Sequence, residues 1–181
     1  MNKLNKIYIL FLGVVVVIAS CKKADTPNDE NEHEAINKME LTLTGGGNSL
    51  SFIAEDPDGD GGNPPSRIDT LKLQRGVTYS GSLQLYNIAS TTVKNLTPKI
   101  IEQGKSHEVF YLPNVLNFPV IKNDRDANNF PLGFQTTWNV PNAGLGSVTI
   151  KLMHKTAIKG PNDAPTVGHS DLEITMPVKI Q

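Results

Sequence analysis

Residues 172–180 read Leu172-Glu173-Ile174-Thr175-Met176-Pro177-Val178-Lys179-Ile180, with an apolar residue at every second place. A strand sends successive side chains to opposite faces, so this spacing predicts a strand with one face on a core. The same period recurs upstream. Met39, Leu41 and Leu43 show it, as do Leu71 and Leu73, and then Val77, Tyr79, Gly81, Leu83 and Leu85. Phe134, Thr136, Trp138 and Val140 form another series, and Val148, Ile150 and Leu152 a further one. Leu50-Phe52-Ala54 and Val109–Leu112 carry weaker versions. Gly, Pro and Asn clusters between these segments mark turns. About eight short strands without long intervening helices predict an all-β fold, an antiparallel β-sandwich that is Ig-like or jelly-roll-like. One short helix is expected near 97–103, with Thr97 as cap, Pro98 in the first turn and Gly104 as its end.

The chain has 181 residues, and 17 Lys+Arg against 18 Asp+Glu leave a net charge of -1. That balance provides no basic face for nucleic acid. The length suits one domain with a short extension. One cysteine, Cys21, excludes an intramolecular disulfide framework and a Cys-cluster zinc site. A blue-copper centre would need a Cys ligand within the fold.

The extension is at the N-terminus. Lys3 and Lys6 precede an apolar run from Ile7 to Ile18, interrupted only by Gly13. The run is shorter than the ~20 residues that cross a bilayer, and it fits a signal-peptide core. Ile18-Ala19-Ser20-Cys21 follows and resembles the lipobox of bacterial lipoproteins. The resemblance implies that residues 1–20 are a lipoprotein signal peptide and that Cys21 is cleaved before, lipidated and acylated. More than one acyl chain makes a stable membrane anchor. Residues 21–35 then read as the lipidated Cys and an acidic tether, with Asp25, Asp29, Glu30, Glu32 and Glu34 and no apolar period. Residues 36–181 remain for the sandwich domain. Lys22 rather than Asp after the cysteine favours the outer membrane, on its periplasmic face or at the cell surface.

Several stretches share an order with one family. They are Ala54-Glu55-Asp56-Pro57-Asp58-Gly59-Asp60-Gly61, Gly76–Leu83, Ser106-His107-Glu108-Val109-Phe110-Tyr111, Asp124–Asn128 leading into Pro131-Leu132-Gly133, and Leu152-Met153-His154-Lys155. In this order the chain resembles small outer-membrane lipoproteins of the Bacteroidota. The resemblance implies an envelope binding role without naming a ligand, and some such proteins resemble partners of outer-membrane receptors; a receptor or a glycan is the expected partner.

The sharpest chemical motif is Asp56-Pro57-Asp58-Gly59-Asp60-Gly61. Alternate carboxylates Asp56, Asp58 and Asp60 in a Gly-containing loop can converge on calcium, which takes six to eight oxygens at about 2.3–2.6 Å. Asp69 is a further candidate ligand. The loop is not an EF-hand: its twelfth position is Arg67, and Pro64 and Pro65 forbid the exiting helix. The competing reading is a solvated acidic turn. Asp124, Asp126 and Asn128 repeat the spacing more weakly, with Arg125 as a competing charge.

Four histidines are present: His33, His107, His154 and His169. His154 is in phase with Val148, Ile150 and Leu152, and His107 with Val109 and Tyr111. Such a strand-borne pair, with Glu108 beside it, offers an alternative site for a transition ion. The competing reading is two strand-end histidines bonded to backbone or water. Trp138 is in phase with Phe134 and Val140, as a core residue would be. G-x-S-x-G, H-E-x-x-H and a Gly-rich phosphate loop are all missing, so a binding protein is expected rather than an enzyme, with a glycan hydrolase as the weaker alternative.

Overall fold

A computed structural model describes residues 35–58, 63–89 and 91–181. The expected signal peptide, Cys21, the expected tether up to Glu34, and Asp60 of the acidic loop all lie outside the described residues. The described chain forms β1 (Lys38–Gly45), β2 (Asn48–Glu55), β3 (Arg67–Ile68), β4 (Leu71–Leu73), β5 (Val77–Asn87) and β6 (Lys94–Asn95). Helix α1 (Thr97–Glu102) and a 3-10 turn (Gly104–Ser106) follow. The chain ends with β7 (His107–Asn114), β8 (Val120–Lys122), β9 (Gln135–Val140), β10 (Gly144–His154) and β11 (His169–Ile180). Among the described residues no helix is long and apolar enough to cross a membrane.

The strands build two sheets. One runs β3-β2-β1-β5-β9-β8, with β6 paired to the end of β5. The other runs β4-β11-β10-β7. All pairings are antiparallel except β4 with β11. The alternating apolar positions face one another between the sheets as a single core. Met39, Leu41, Leu43, Leu83 and Leu85 from the first sheet share it with Val109, Val148, Ile150, Met176 and Val178 from the second. The fold is therefore the all-β sandwich that the period-2 patterns predict.

Trp138 is at the centre, fully buried. The Tyr111 ring meets it edge-on at 5.3 Å and Phe118 lies 5.7 Å away. Its indole N–H donates to Thr136 Oγ1 at 2.8 Å, which satisfies the one polar group it carries inside. Gly81 makes room for this arrangement, since a Cβ there would collide with Thr136 Oγ1 and lie 2.8 Å from the indole nitrogen.

Local details depart from the pattern reading. Leu96, not Thr97, caps α1. The Thr97 hydroxyl instead accepts the Leu85 amide at 2.8 Å, tying the helix to β5. Gly104 does not end the helix; it opens the 3-10 turn that leads into β7. The short strands β3, β6 and β8 have too few residues to show a period. At the start of β7 all of His107–Tyr111 are buried, so alternation fails there. The cause is cover on both faces and at the edge: the Val109 amide donates to the Leu132 carbonyl at 2.7 Å, closing the free side of the strand.

Candidate functional site

The paired start of β7 and end of β10 bring the two histidines together. His107 stands opposite His154 in the register. Their rings stack at 4.6 Å between centroids and 11° between planes. A third group joins them from β11. Leu152 pairs with Leu172 and Met153 with Ser170, so Asp171 is the extra residue of a β-bulge. Strict alternation would put Asp171 and Leu172 on opposite faces. The bulge lets both turn inward, and the Asp171 side chain is only 1% exposed. His107, His154 and Asp171 each present a ligand atom, all within 4.8 Å of one another.

The hydrogen bonds fix how these groups face each other. His107 Nδ1 lies 3.0 Å from the Gln103 carbonyl oxygen. A carbonyl only accepts, so Nδ1 donates this bond and Nε2 is the nitrogen left to face inward. Nε2 faces Asp171 Oδ2 at 3.4 Å. A lone pair opposite a carboxylate calls for a cation between them, either a proton on Nε2 or a metal ion. His154 Nε2 is bonded to Thr156 Oγ1 at 2.9 Å. Each imidazole thus has one nitrogen held by an outer partner, the arrangement that orients histidine ligands in metal sites.

Glu108 belongs to a different group. Lys122 Nζ donates to its Oε1 at 2.6 Å and Lys155 Nζ to its Oε2 at 2.9 Å. Lys155, with a side chain fully removed from solvent, also reaches Asp163 Oδ2 at 3.2 Å. Both ammonium groups lie over the Phe110 ring, at 3.8 and 4.4 Å. Burial pulls the Lys122 ammonium below the usual lysine range, against the opposing pull of Glu108. Glu108 is thus shared by two cations and is not a third ligand beside the histidines. Asp163 is held below the usual carboxylate range by the Gly160 amide and, to a smaller degree, by Lys155.

The acidic loops look different. Asp58 is exposed, and its Oδ2 accepts the Asn63 amide at 3.0 Å and the Asn63 side-chain nitrogen at 2.8 Å. Those two bonds hold its carboxyl below the usual range. The Asp56 amide donates to the Asn37 carbonyl, anchoring the loop's first residue to the chain entering β1. Asp69 is bridged by Arg67 through Nε and Nη2, both at 2.9 Å, so a guanidinium holds it where a calcium ligand was expected.

At the second loop Asp124 accepts the Gly133 and Phe134 amides, both at 2.8 Å. Asp126 Oδ1 accepts the Asn128 and Phe130 amides. Its Oδ2 meets Lys159 Nζ at 2.8 Å, with both side chains 1% exposed. Burial raises the Asp126 carboxyl, but Lys159 and the two amides outweigh it and the net position is below the usual range. Asp126 and Asn128 therefore form an Asx-closed turn in which Lys159 already neutralises the Asp126 carboxylate, while Asp124 is taken up by two amides.

Asp171 is the site residue that pattern reading passes over. It falls just before the Leu172–Ile180 alternation, and nothing in a period reveals a bulge. A carboxylate beside His169 at the mouth of the last strand was the only available signal. No family model, curated protein or solved structure matches this chain.

Proposed function

We propose that this chain is a lipid-anchored, non-enzymatic protein of the outer membrane whose sandwich binds one divalent transition-metal ion through His107, His154 and Asp171. One observation carries the metal reading: His107 Nε2 and an Asp171 oxygen face each other across 3.4 Å, and His154 brings a further ligand atom within 4.8 Å of both. Two nitrogens and one oxygen suit zinc, copper or nickel, and are a poor set for calcium, which prefers oxygen alone. Three protein ligands leave a fourth position for water or a bound group. The anchor reading is supported by the lysines, apolar run and Ala19-Ser20-Cys21 of the N-terminal sequence.

The metal reading is tested by titrating the purified full chain with Co2+ and following its d–d absorption. One equivalent bound in the wild type and none in a His107→Ala/His154→Ala variant is the expected result. A wild type with no Co2+ band and no zinc in elemental analysis would end the proposal. The anchor is tested separately with Cys21→Ser, which should move the protein from the membrane to the soluble fraction.

A further inference from the structure

All three ligands stand at strand ends. His107 opens β7, His154 closes β10, and Asp171 is the third residue of β11. Yet they are shut away from solvent, with His107 and Asp171 side chains 4% and 1% exposed. What covers the end of a strand is the chain that leaves it. Here those segments are the 103–106 turn before β7 and the 155–168 connection between β10 and β11.

The two covers are held in different ways. The 103–106 turn continues α1, which is rooted in the core through Leu96 and Ile100. The 155–168 segment adds no side chain to the apolar core, and the side chains it buries most fully are those of Lys155 and Lys159. Its side-chain ties are polar: Lys155 to Glu108 and Asp163, Thr156 to His154, and Lys159 to Asp126 and the Gly104 carbonyl. Segments with few apolar contacts open at low free-energy cost. The segment also ends on Gly168 at φ +96°, where a Cβ would run into the His154 carbonyl oxygen.

The rings themselves must move. An imidazole donates its lone pair in the ring plane. Two stacked rings only 11° from parallel cannot both aim at one ion. Coordination must turn at least one ring out of the stack, and the His154 ring is tied to Thr156 on this same segment.

We infer that residues 155–168 are a cover over the histidine site, latched by the buried Lys159–Asp126 pair, and that a metal ion enters only when the cover opens. This inference rests on the metal reading. The geometry also suggests a clean variant. In Asp126→Asn the amide oxygen can keep the Asn128 and Phe130 bonds that shape the turn, while the ionic latch to Lys159 is lost.

The experiment is rapid mixing of the full chain with Co2+, with circular dichroism confirming that each variant is folded. In the wild type the observed binding rate should level off as Co2+ rises, at a plateau set by opening. In Asp126→Asn the plateau should rise about tenfold, because breaking one side of a buried pair destabilises the closed state. Lys159→Arg, which retains the charge, should stay near the wild-type plateau. A rate that keeps rising in proportion to Co2+, or an Asp126→Asn plateau equal to the wild type's, would overturn the cover while leaving the metal site standing. An absence of Co2+ binding at equilibrium would remove both. If Asp126→Asn does not fold, the shape of the wild-type rate curve alone decides.

Discussion

The acidic stretch around Asp56–Asp60 and the histidine pair at His107 and His154 invite opposite judgements in sequence and in structure. The first is compact, contiguous and rich in the residue type that calcium needs. The second is split between β7 and β10 and gains its third member from a further strand. In the folded chain Asp56 of the compact motif is half-buried, Pro57 and Asp58 are exposed, and Asp58 bonds to its own neighbour Asn63. The scattered one is buried, stacked and aimed at a carboxylate. Local density of ligand types measures what a turn favours, since Asp and Gly favour turns anyway. Convergence across strands is a better sign of a built site, because burying such groups together costs free energy unless they are paired.

The contrast can be broken most directly through affinity. Replacing both histidines with alanine should weaken zinc or Co2+ binding by about a hundredfold or more, since even outer-partner changes reach that size. Asp58→Asn should leave it unchanged. Competition against a coloured chelator measures both. The reverse ranking would return the acidic loop to first place.

The ion pairs of the two regions should differ in the same direction. Glu108→Gln leaves Lys155 buried beside a neutral amide and should cost about 3 kcal/mol in urea unfolding. Arg67→Gln disrupts the pair with Asp69, in which Arg67 is 48% exposed. It should cost under about 1 kcal/mol. Equal losses would mean that the cluster around Glu108 is better solvated than its burial implies.

Thermal melts sharpen the comparison further. Zinc at about a hundred times its dissociation constant should raise Tm by roughly 5–10 °C, by mass action on the folded state. Calcium should raise it less. A calcium effect as large as zinc's, abolished by Asp58→Asn, would restore the calcium reading.

The smallest effect concerns acid. The Asp126 carboxyl is held below its usual range in the folded state. Its contribution is therefore complete above the unfolded-state value and is lost as pH falls through the depressed folded value. Between about pH 4 and pH 2 the wild type should lose more stability than Asp126→Asn. Parallel losses in acid-titrated unfolding would show that the Lys159 pair contributes nothing through this route.

How much was legible beforehand follows from what a period can encode. Alternation is a local property, and each long strand with one face on the core shows it plainly, from Met39–Leu43 to Leu172–Ile180. It is silent where both faces are covered, as at His107–Tyr111, and where a strand has two or three residues, as in β3, β6 and β8. It does place His107 and His154 in phase with core residues, so two of the three candidate ligands could be read. It could not show that β7 and β10 are neighbours. Nor could it show Asp171, whose inward turn depends on one unpaired residue in a ladder. The acidic loops misled for a related reason: spacing of carboxylates does not say which amides, lysines or guanidinium groups will reach them first.

The place of β11 in the second sheet has a consequence for assembly in time. This strand pairs with β10 on one side and with β4 on the other, and Gln181 exchanges backbone bonds with Leu73 and Arg75. It is also the last strand in chain order and brings Asp171. The second sheet closes only when β11 docks between β4 and β10, and long-range pairings of this kind form late. The histidine pair gains its carboxylate only at that step. Under the metal reading, high-affinity metal uptake would report that β11 had docked on β10.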